Sequence, residues 1–410
     1  MKRYASGFIV VMMFCVSVST GQTQRQNILP QRIVLNLTAE PASSMAVTWR
    51  TNEEVMNPVA QVAEAGDWTD SQKGAVSQAA TSEKIKLDNG ASVYTHSVIL
   101  KELKPNTLYA YRVGRDSAWS EWNQFTTAKD KRAPFEFVFF GDPQYEVRES
   151  VSRVFREALL MAPTAKLWLF TGDLFDLPQY DRFWAEWFYA TGFIQSIIPS
   201  ILAPGSHEYA LKTGRRVQWD VFSPTWKAHF TLPGNGPKGL EGRAYYVDYQ
   251  GVRFIVLDAQ YAREEQSKWL DGVLANNPNK WTVAAFHEPV FSIAKDRDEY
   301  HTRDAFMPLI DKYSVDLVLT GHDHGYARSK KLRNGKVVGD NEPGTVYVVS
   351  VSGPKGYEHN PKYDYLMQKT GTQHQLFQVI SFQDNELVYK SYTVTGTMYD
   401  SFELQKDAKR

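Results

Sequence analysis

FEFVFFGDPQYEVRESVSRVFREALLMAPTAKLWLFTGDLFD, residues 135–176, decides the fold. Phe135 to Phe140 is an apolar run too short for a separate buried helix, so it reads as a strand. Val151, Val154, Phe155, Ala158 and Leu159 then recur at helical spacing. Lys166 to Phe170 supplies the next strand. The cycle continues downstream with a Trp- and Phe-rich helix from Arg182 to about Ile197, strand Ile201 to Ala203, strand Arg253 to Leu257, helix Glu264 to about Ala275, strand Trp281 to Phe286, helix Arg303 to Tyr313 and strand Val315 to Leu319. Such alternation predicts an α/β domain with largely parallel strands under helices on both faces. Val346 to Ser352, Leu376 to Phe382 and Glu386 to Thr393 read as further strands and imply a second sheet.

Upstream the pattern is different. From Gln31 to Thr127 short apolar stretches alternate with turn residues; the strand candidates are Ile33 to Leu37, Met45 to Trp49, Val93 to Leu100, Leu108 to Val113 and Trp122 to Thr126. LKPNTLYAYRVG, residues 103–114, sets a Pro-Asn turn before a Tyr-rich strand, which suits an antiparallel sandwich with a corner tied by a tyrosine hydroxyl. An immunoglobulin-like or fibronectin type III-like module over residues 30–128 is expected, then a junction at Lys129 to Pro134 and an α/β domain over 133–410. His96, inside a predicted strand, reads as a packed or surface residue, and His229, in an aromatic stretch, as a packed one.

Lys+Arg and Asp+Glu both total 46 in the 410 residues, so no global field steers the chain onto nucleic acid or an anionic membrane. A charged ligand must be held locally. Lys2 and Arg3, apolar Phe8 to Val18 and small Ser19 to Gly21 read as a secretory leader over residues 1–21, with an uncleaved anchor as the alternative. Phe14 before Cys15 argues against a lipoprotein. Cleavage near Gly21 removes the single cysteine, leaving a secreted or periplasmic chain with no thiolate metal site and no second apolar run able to span a bilayer.

The chemistry-bearing residues follow the strands. Asp142 stands in GDPQ, Asp173 in GDLFD, Ser206, His207 and Glu208 in GSHE, His287 in AAFHEPVFS, and His322 and His324 in GHDH. Strand ends of an open α/β sheet share one edge, so these residues converge. A lone Gly-Asp after a strand is usually a turn and a lone His usually structural, but every one of these strand ends carries a carboxylate or an imidazole. Such donors suit Zn, Mn or Fe, and their number exceeds what one tetrahedral ion needs. Two ions are the economical reading, with Asp173 placed to bridge them.

These blocks, in this order, resemble the calcineurin-like metallophosphoesterases, in their purple acid phosphatase-like branch; the front module and the late MYDSFEL segment (398–404) fit that branch too. The resemblance implies an N-terminal all-β sandwich followed by a four-layer α/β/β/α domain. It also implies a first metal on Asp142, Asp173 and His324, a second on Asp173, His287 and His322, and His207 contacting the phosphoryl group or protonating the leaving oxygen. Two divalent or trivalent ions (Zn, Mn or Fe) would hydrolyse a phosphate ester through a metal-bound hydroxide. Three positions depart from the branch. Asp176 replaces a metal-binding tyrosine, so a colourless protein is expected; Gln144 replaces a histidine and is a weaker neutral ligand or a water orienter; Ser206 replaces an asparagine and should weaken the second site.

Glu208 either orients His207 or opens a helix. Tyr145, Tyr326, Arg328 and Lys355 are the candidate substrate contacts, Arg328 as a bidentate phosphate clamp. His301, His359 and His374 have no motif around them and read as structural or solvated; Asn36-Leu37-Thr38 matches a glycosylation acceptor. Competing functions are a diesterase for cyclic nucleotides or phospholipid head groups, and a binding protein with a degenerate metal site whose front module engages a cell-envelope partner or glycan.

Overall fold

The computed structural model describes residues 27–406 except 210, 214, 215 and 219; the expected leader and Cys15 lie outside the described residues. Two mixed sheets face each other. In the first, Phe135–Phe140, Trp168–Phe170 and Ser200–Leu202 are adjacent and parallel, and the antiparallel strands Leu376–Gln383, Glu386–Thr393 and Met398–Gln405 extend it on one side. The second contains Val252–Val256, Trp281–Ala285, Leu317–Thr320 and Val346–Val349 in parallel, flanked by antiparallel Tyr245–Tyr249, Tyr326–Ser329 and Met367–Gly371. Of the late strands expected to make a second sheet, only Val346–Val349 joins it; Leu376–Gln383 and Glu386–Thr393 return to the first.

Apolar residues on both faces of each sheet explain the layers. Phe137, Phe139, Leu169 and Ile201 point inward and meet Val247, Phe254, Val283 and Leu319 of the opposing sheet in one core. Their neighbours along the strands, Val138, Phe140, Trp168 and Phe170, point outward against Phe155 of helix Ser152–Met161 and Trp187 of helix Asp181–Thr191. Helices Arg263–Ala275 and Tyr300–Tyr313 cover the second sheet through Leu270, Phe306 and Ile310. The period of two therefore supplies a core to each face, and a four-layer α/β/β/α domain results. The helix expected from Arg182 to Ile197 is two, Asp181–Thr191 and Ile194–Ile197, because Gly192 takes φ +53° and ends the first.

The front module is a β-sandwich whose first sheet is not separate. Its strand Gln31–Asn36 lies parallel beside Ser200–Leu202, with Asn36 opposite Ser200, and so continues the ten-stranded sheet of the α/β domain. Asn36 is wholly buried, its amide donating to Ser200 O and accepting from Thr231 N–H, so the glycosylation match does not survive. The corner is tied as expected by Tyr109, whose hydroxyl accepts from the Lys104 N–H at 2.8 Å. Across the domain boundary Arg32 forks onto Asp181 at the start of its helix, with a first contact at 2.7 Å, and Arg50 adds a contact through Nη1 at 2.9 Å. His96 and His229 are packed: His96 lies between Thr51 and Ser82, and His229 stacks on Trp184 at 3.7 Å. Burial pushes the His96 imidazole down to about 4 and that of His229 to about 3. No described helix is long and apolar enough to cross a membrane.

Candidate metal centre

The site-bearing loops leave the carboxyl ends of parallel strands in both sheets, three from the first and two from the second, so the convergence crosses the gap between two sheets instead of following the edge of one. Asp142, Asp173, His322 and His324 take φ of +37°, +49°, +73° and +44°. Left-handed backbone at non-glycine residues costs roughly 1–3 kcal/mol each and persists where surrounding bonds impose it. Here Gly353 N–H binds Asp142 O at 2.8 Å and Gln144 N–H binds Asp173 O at 3.1 Å. Gly205 has to be glycine for another reason: a Cβ there would collide with the Asp173 carboxylate and lie 2.9 Å from His287 Nδ1.

Two groups of donors result. Asp142, Asp173 and His324 bring ligand atoms within 4.8 Å of one another, as do Asp173, His287 and His322, and Asp173 belongs to both. The second ring nitrogens fix the imidazoles: His287 Nδ1–H donates to Thr171 O at 2.7 Å, turning Nε2 to Asp173 Oδ2 at 3.1 Å. His322 Nε2 faces Glu299 at 3.3 Å and leaves Nδ1 3.1 Å from His287 Nε2. Imidazoles anchored through one nitrogen with the other aimed at a common point are characteristic of metal ligands. Both Asp142 carboxylate oxygens and Gln144 Oε1 are buried without a hydrogen-bond partner, in a pocket that already gathers two carboxylates. These donors fit a pair of cations, which would satisfy acceptors that no protein donor reaches.

The electrostatics agree. Burial pushes the Asp142 carboxyl well above its usual range, with His287 opposing and Asp173 adding to the rise. Burial acts the same way on Asp173, but His287 and His207 outweigh it and hold that carboxyl below its usual range. His287 is raised because Asp173 and Asp142 overcome its own burial. Burial lowers His322 to about 4, against Glu299, and His324 to about 3, so both rings stay neutral and keep the lone pair that ligation requires.

The remaining sequence candidates separate. Gln144 is inside the cluster, its Nε2 2.9 Å from Asp173 Oδ2 and from His324 Nε2. Ser206 Oγ lies 3.3 and 3.4 Å from the two Asp173 oxygens, at the edge. If its short hydroxyl limits the second group, Ser206→Asn should tighten metal binding about tenfold, one ligand bond being worth at least a kcal/mol or so; an unchanged metal titration removes Ser206 from the site. His207 also borders the cluster: Nε2 is 3.9 Å from Asp173 Oδ2, and Nδ1 donates to Asp176 O at 2.6 Å. Asp176 thus faces His207.

Three expectations need correction. Glu208 neither orients His207 nor opens an α-helix; its carboxylate accepts the backbone N–H groups of Asp173, Leu174 and Gly205 at 2.8, 3.1 and 2.7 Å, tying two site loops together. Tyr326 and Arg328 are not substrate contacts. The Tyr326 hydroxyl and the Arg328 fork are both taken by Asp400 of the last strand, at 2.7 Å for each first contact. Tyr145 does sit at the mouth, its ring 6.2 Å from both His207 and His324. Sequence reasoning missed Glu299, the partner of His322, and Arg297, which donates to His322 O at 2.6 Å. Neither belongs to a motif; their only signal is a charged loop, Lys295 to Glu299, before a helix.

Residues 30–127 match the model for the purple acid phosphatase N-terminal domain, and residues 135–326 match that for calcineurin-like phosphoesterases. An uncharacterized protein of Mycobacterium tuberculosis is 29% identical over 330 residues, 71% of this chain and 60% of its own length. Purple acid phosphatase 15 of Arabidopsis thaliana is 27% identical over 294 residues, 64% of this chain and 54% of its own. Among solved structures, a purple acid phosphatase from yellow lupin seeds shares the fold with a TM-score of 0.78 at 19% identity, covering 92% of this chain and 75% of that one. With the two domains in this order around such a cluster, the chain belongs to the calcineurin-like metallophosphoesterases, in the purple acid phosphatase-like branch. It spans about three fifths of the length of the first curated relatives it matches.

Proposed function

We propose that this chain is an exported phosphoesterase that hydrolyses phosphate esters at a pair of metal ions. The observation that carries the reading is the pair of donor groups sharing Asp173, with the buried, unpartnered Asp142 oxygens beside it. Asp142, Asp173 and His324 would hold one ion and Asp173, His287 and His322 the other. Bound there, the ions would acidify a water and neutralise charge on the phosphoryl oxygens. The chain's own residues do the rest: Glu208 fixes the loops of Asp173 and Gly205, and Thr171 and Glu299 hold two imidazoles in register. His207 keeps Nδ1 on the Asp176 carbonyl and presents Nε2 for a proton that passes to the departing oxygen. Export rests on the leader read in residues 1–21.

The test is turnover by the metal-loaded protein of phenyl and alkyl phosphates of graded leaving-group basicity. His207→Gln should lower kcat about 10²–10³-fold for alkyl phosphates and only a few-fold for p-nitrophenyl phosphate, whose leaving group needs no proton. Equal losses on both would deny His207 the role of acid. No turnover of mono- or diesters with Zn, Mn or Fe would leave the binding-protein reading.

A further inference from the structure

Two loops form one wall of the site's mouth. Ala294 bridges to His359, Lys295 N–H binds Glu358 O at 2.9 Å, and Asn360 N–H binds Ile293 O at 2.7 Å, so the wall is built in place. Its cations are nearly all occupied. Lys295 pairs with Glu358, Lys362 with Asp298 at 2.7 Å, and Arg297 binds His322 O and lies 3.9 Å from Asp323. Lys355 alone among these pairs with no described carboxylate. Its half-buried ammonium instead donates to the Tyr145 hydroxyl at 3.2 Å and lies 4.5 and 4.9 Å from the ring centres of Tyr145 and Tyr357. Those same rings stand against the cluster: Tyr357 is 4.7 Å and Tyr145 6.2 Å from His324, and Tyr357 N–H points to His324 O at 3.4 Å.

An ammonium held by aromatic faces and neutral hydroxyls is fixed in position without losing its charge. That arrangement leaves its charge for an anion arriving at His324. We propose that Lys355, clamped between Tyr145 and Tyr357, binds a non-bridging phosphoryl oxygen and selects phosphates that carry a second negative charge, hence monoesters over diesters. The inference rests on the phosphoesterase reading for the identity of the site. A diester offers one negative charge, which bound ions would already meet; a monoester dianion has one more oxygen in need of a donor.

Orthophosphate binding to the zinc-loaded protein, measured by calorimetry, separates this claim from the activity. Lys355→Met keeps the apolar stem and should weaken orthophosphate about 30-fold, within the range for a charge-assisted hydrogen bond, while Lys355→Arg stays within about fivefold of wild type. Binding of dimethyl phosphate should change less than about threefold in either. In turnover, Lys355→Met should lower kcat/KM for p-nitrophenyl phosphate about 30-fold, mainly through KM, and leave bis(p-nitrophenyl) phosphate nearly unchanged. If wild type binds orthophosphate as described but hydrolyses nothing, the enzymatic reading fails and the role of Lys355 stands. Orthophosphate bound equally well by Lys355→Met, not bound by wild type, or lost together with the metal overturns the proposal.

Discussion

Asp173→Asn is expected to lower turnover by at least about 10³-fold and to reduce bound metal to one ion or none, because a carboxylate shared by both donor groups would serve two cations at once. The side chain is nearly isosteric, so the loss is electrostatic and local. Asp173 Oδ1 accepts the His207 N–H at 2.7 Å, and Oδ2 accepts Gln144 Nε2 at 2.9 Å and faces His287 at 3.1 Å. An amide offers one acceptor where two are used, so its NH₂ would meet either the His207 N–H or the Gln144 amide, donor against donor. The fold should survive, since the side chain keeps its shape and the substitution also removes a like charge beside the buried Asp142 carboxyl. Metal analysis after dialysis, turnover and a thermal melt measure the three effects. Two retained ions with activity within tenfold of wild type would take away the bridge.

How much of this was readable in the sequence depends on the range of the interaction. The candidate ligands were legible because each follows a short apolar run directly, and a strand's end is a local event. Which sheet a strand joins is not local: Phe135–Phe140 and Trp281–Ala285 read alike, yet they lie in opposing sheets, and only the long crossover between them decides it. Arg328 and Tyr326 were misread through closeness in sequence to His324. They are two apart on strand Tyr326–Ser329, so the pleat sends both to one face, where Asp400, some seventy residues on, is waiting. Glu299 lay in a loop without a motif, and its meaning depends on His322, a partner that only folding supplies; Lys355 was legible as a substrate candidate, but not the two tyrosine rings that hold it. The change of pattern near residue 130 does not separate the sheets, because Gln31–Asn36 pairs with Ser200–Leu202 and extends the first sheet of the α/β domain.

Glu208→Gln should destabilise the protein by about 2–4 kcal/mol and lower metal retention and turnover about 10²-fold, although Glu208 touches no candidate ligand atom. Its carboxylate is fully buried and spans two loops, with Oε2 taking the Asp173 and Gly205 N–H groups and Oε1 taking that of Leu174. Glutamine preserves the length of the side chain but turns one of these oxygens into a donor facing a backbone donor. The unsatisfied N–H groups are those of Asp173 and Gly205 or that of Leu174, and Asp173 is already held at positive φ, so strain in that loop is released when the bond fails. Burial, and after it the charge of Asp173, raises the Glu208 carboxyl to about 7. The folded protein therefore holds this proton longer than the unfolded chain, which ionises near 4.5, so the wild type is most stable below about 4.5 and gives up stability as pH rises through 7. The mutant, which has no proton to lose here, should accordingly differ most from wild type in acid buffer and least in alkaline. Denaturant melts of both proteins across pH 5–9, with metal content measured on the same samples, read the difference directly; an equal gap at every pH, or none, would mean that the carboxylate does not hold these loops.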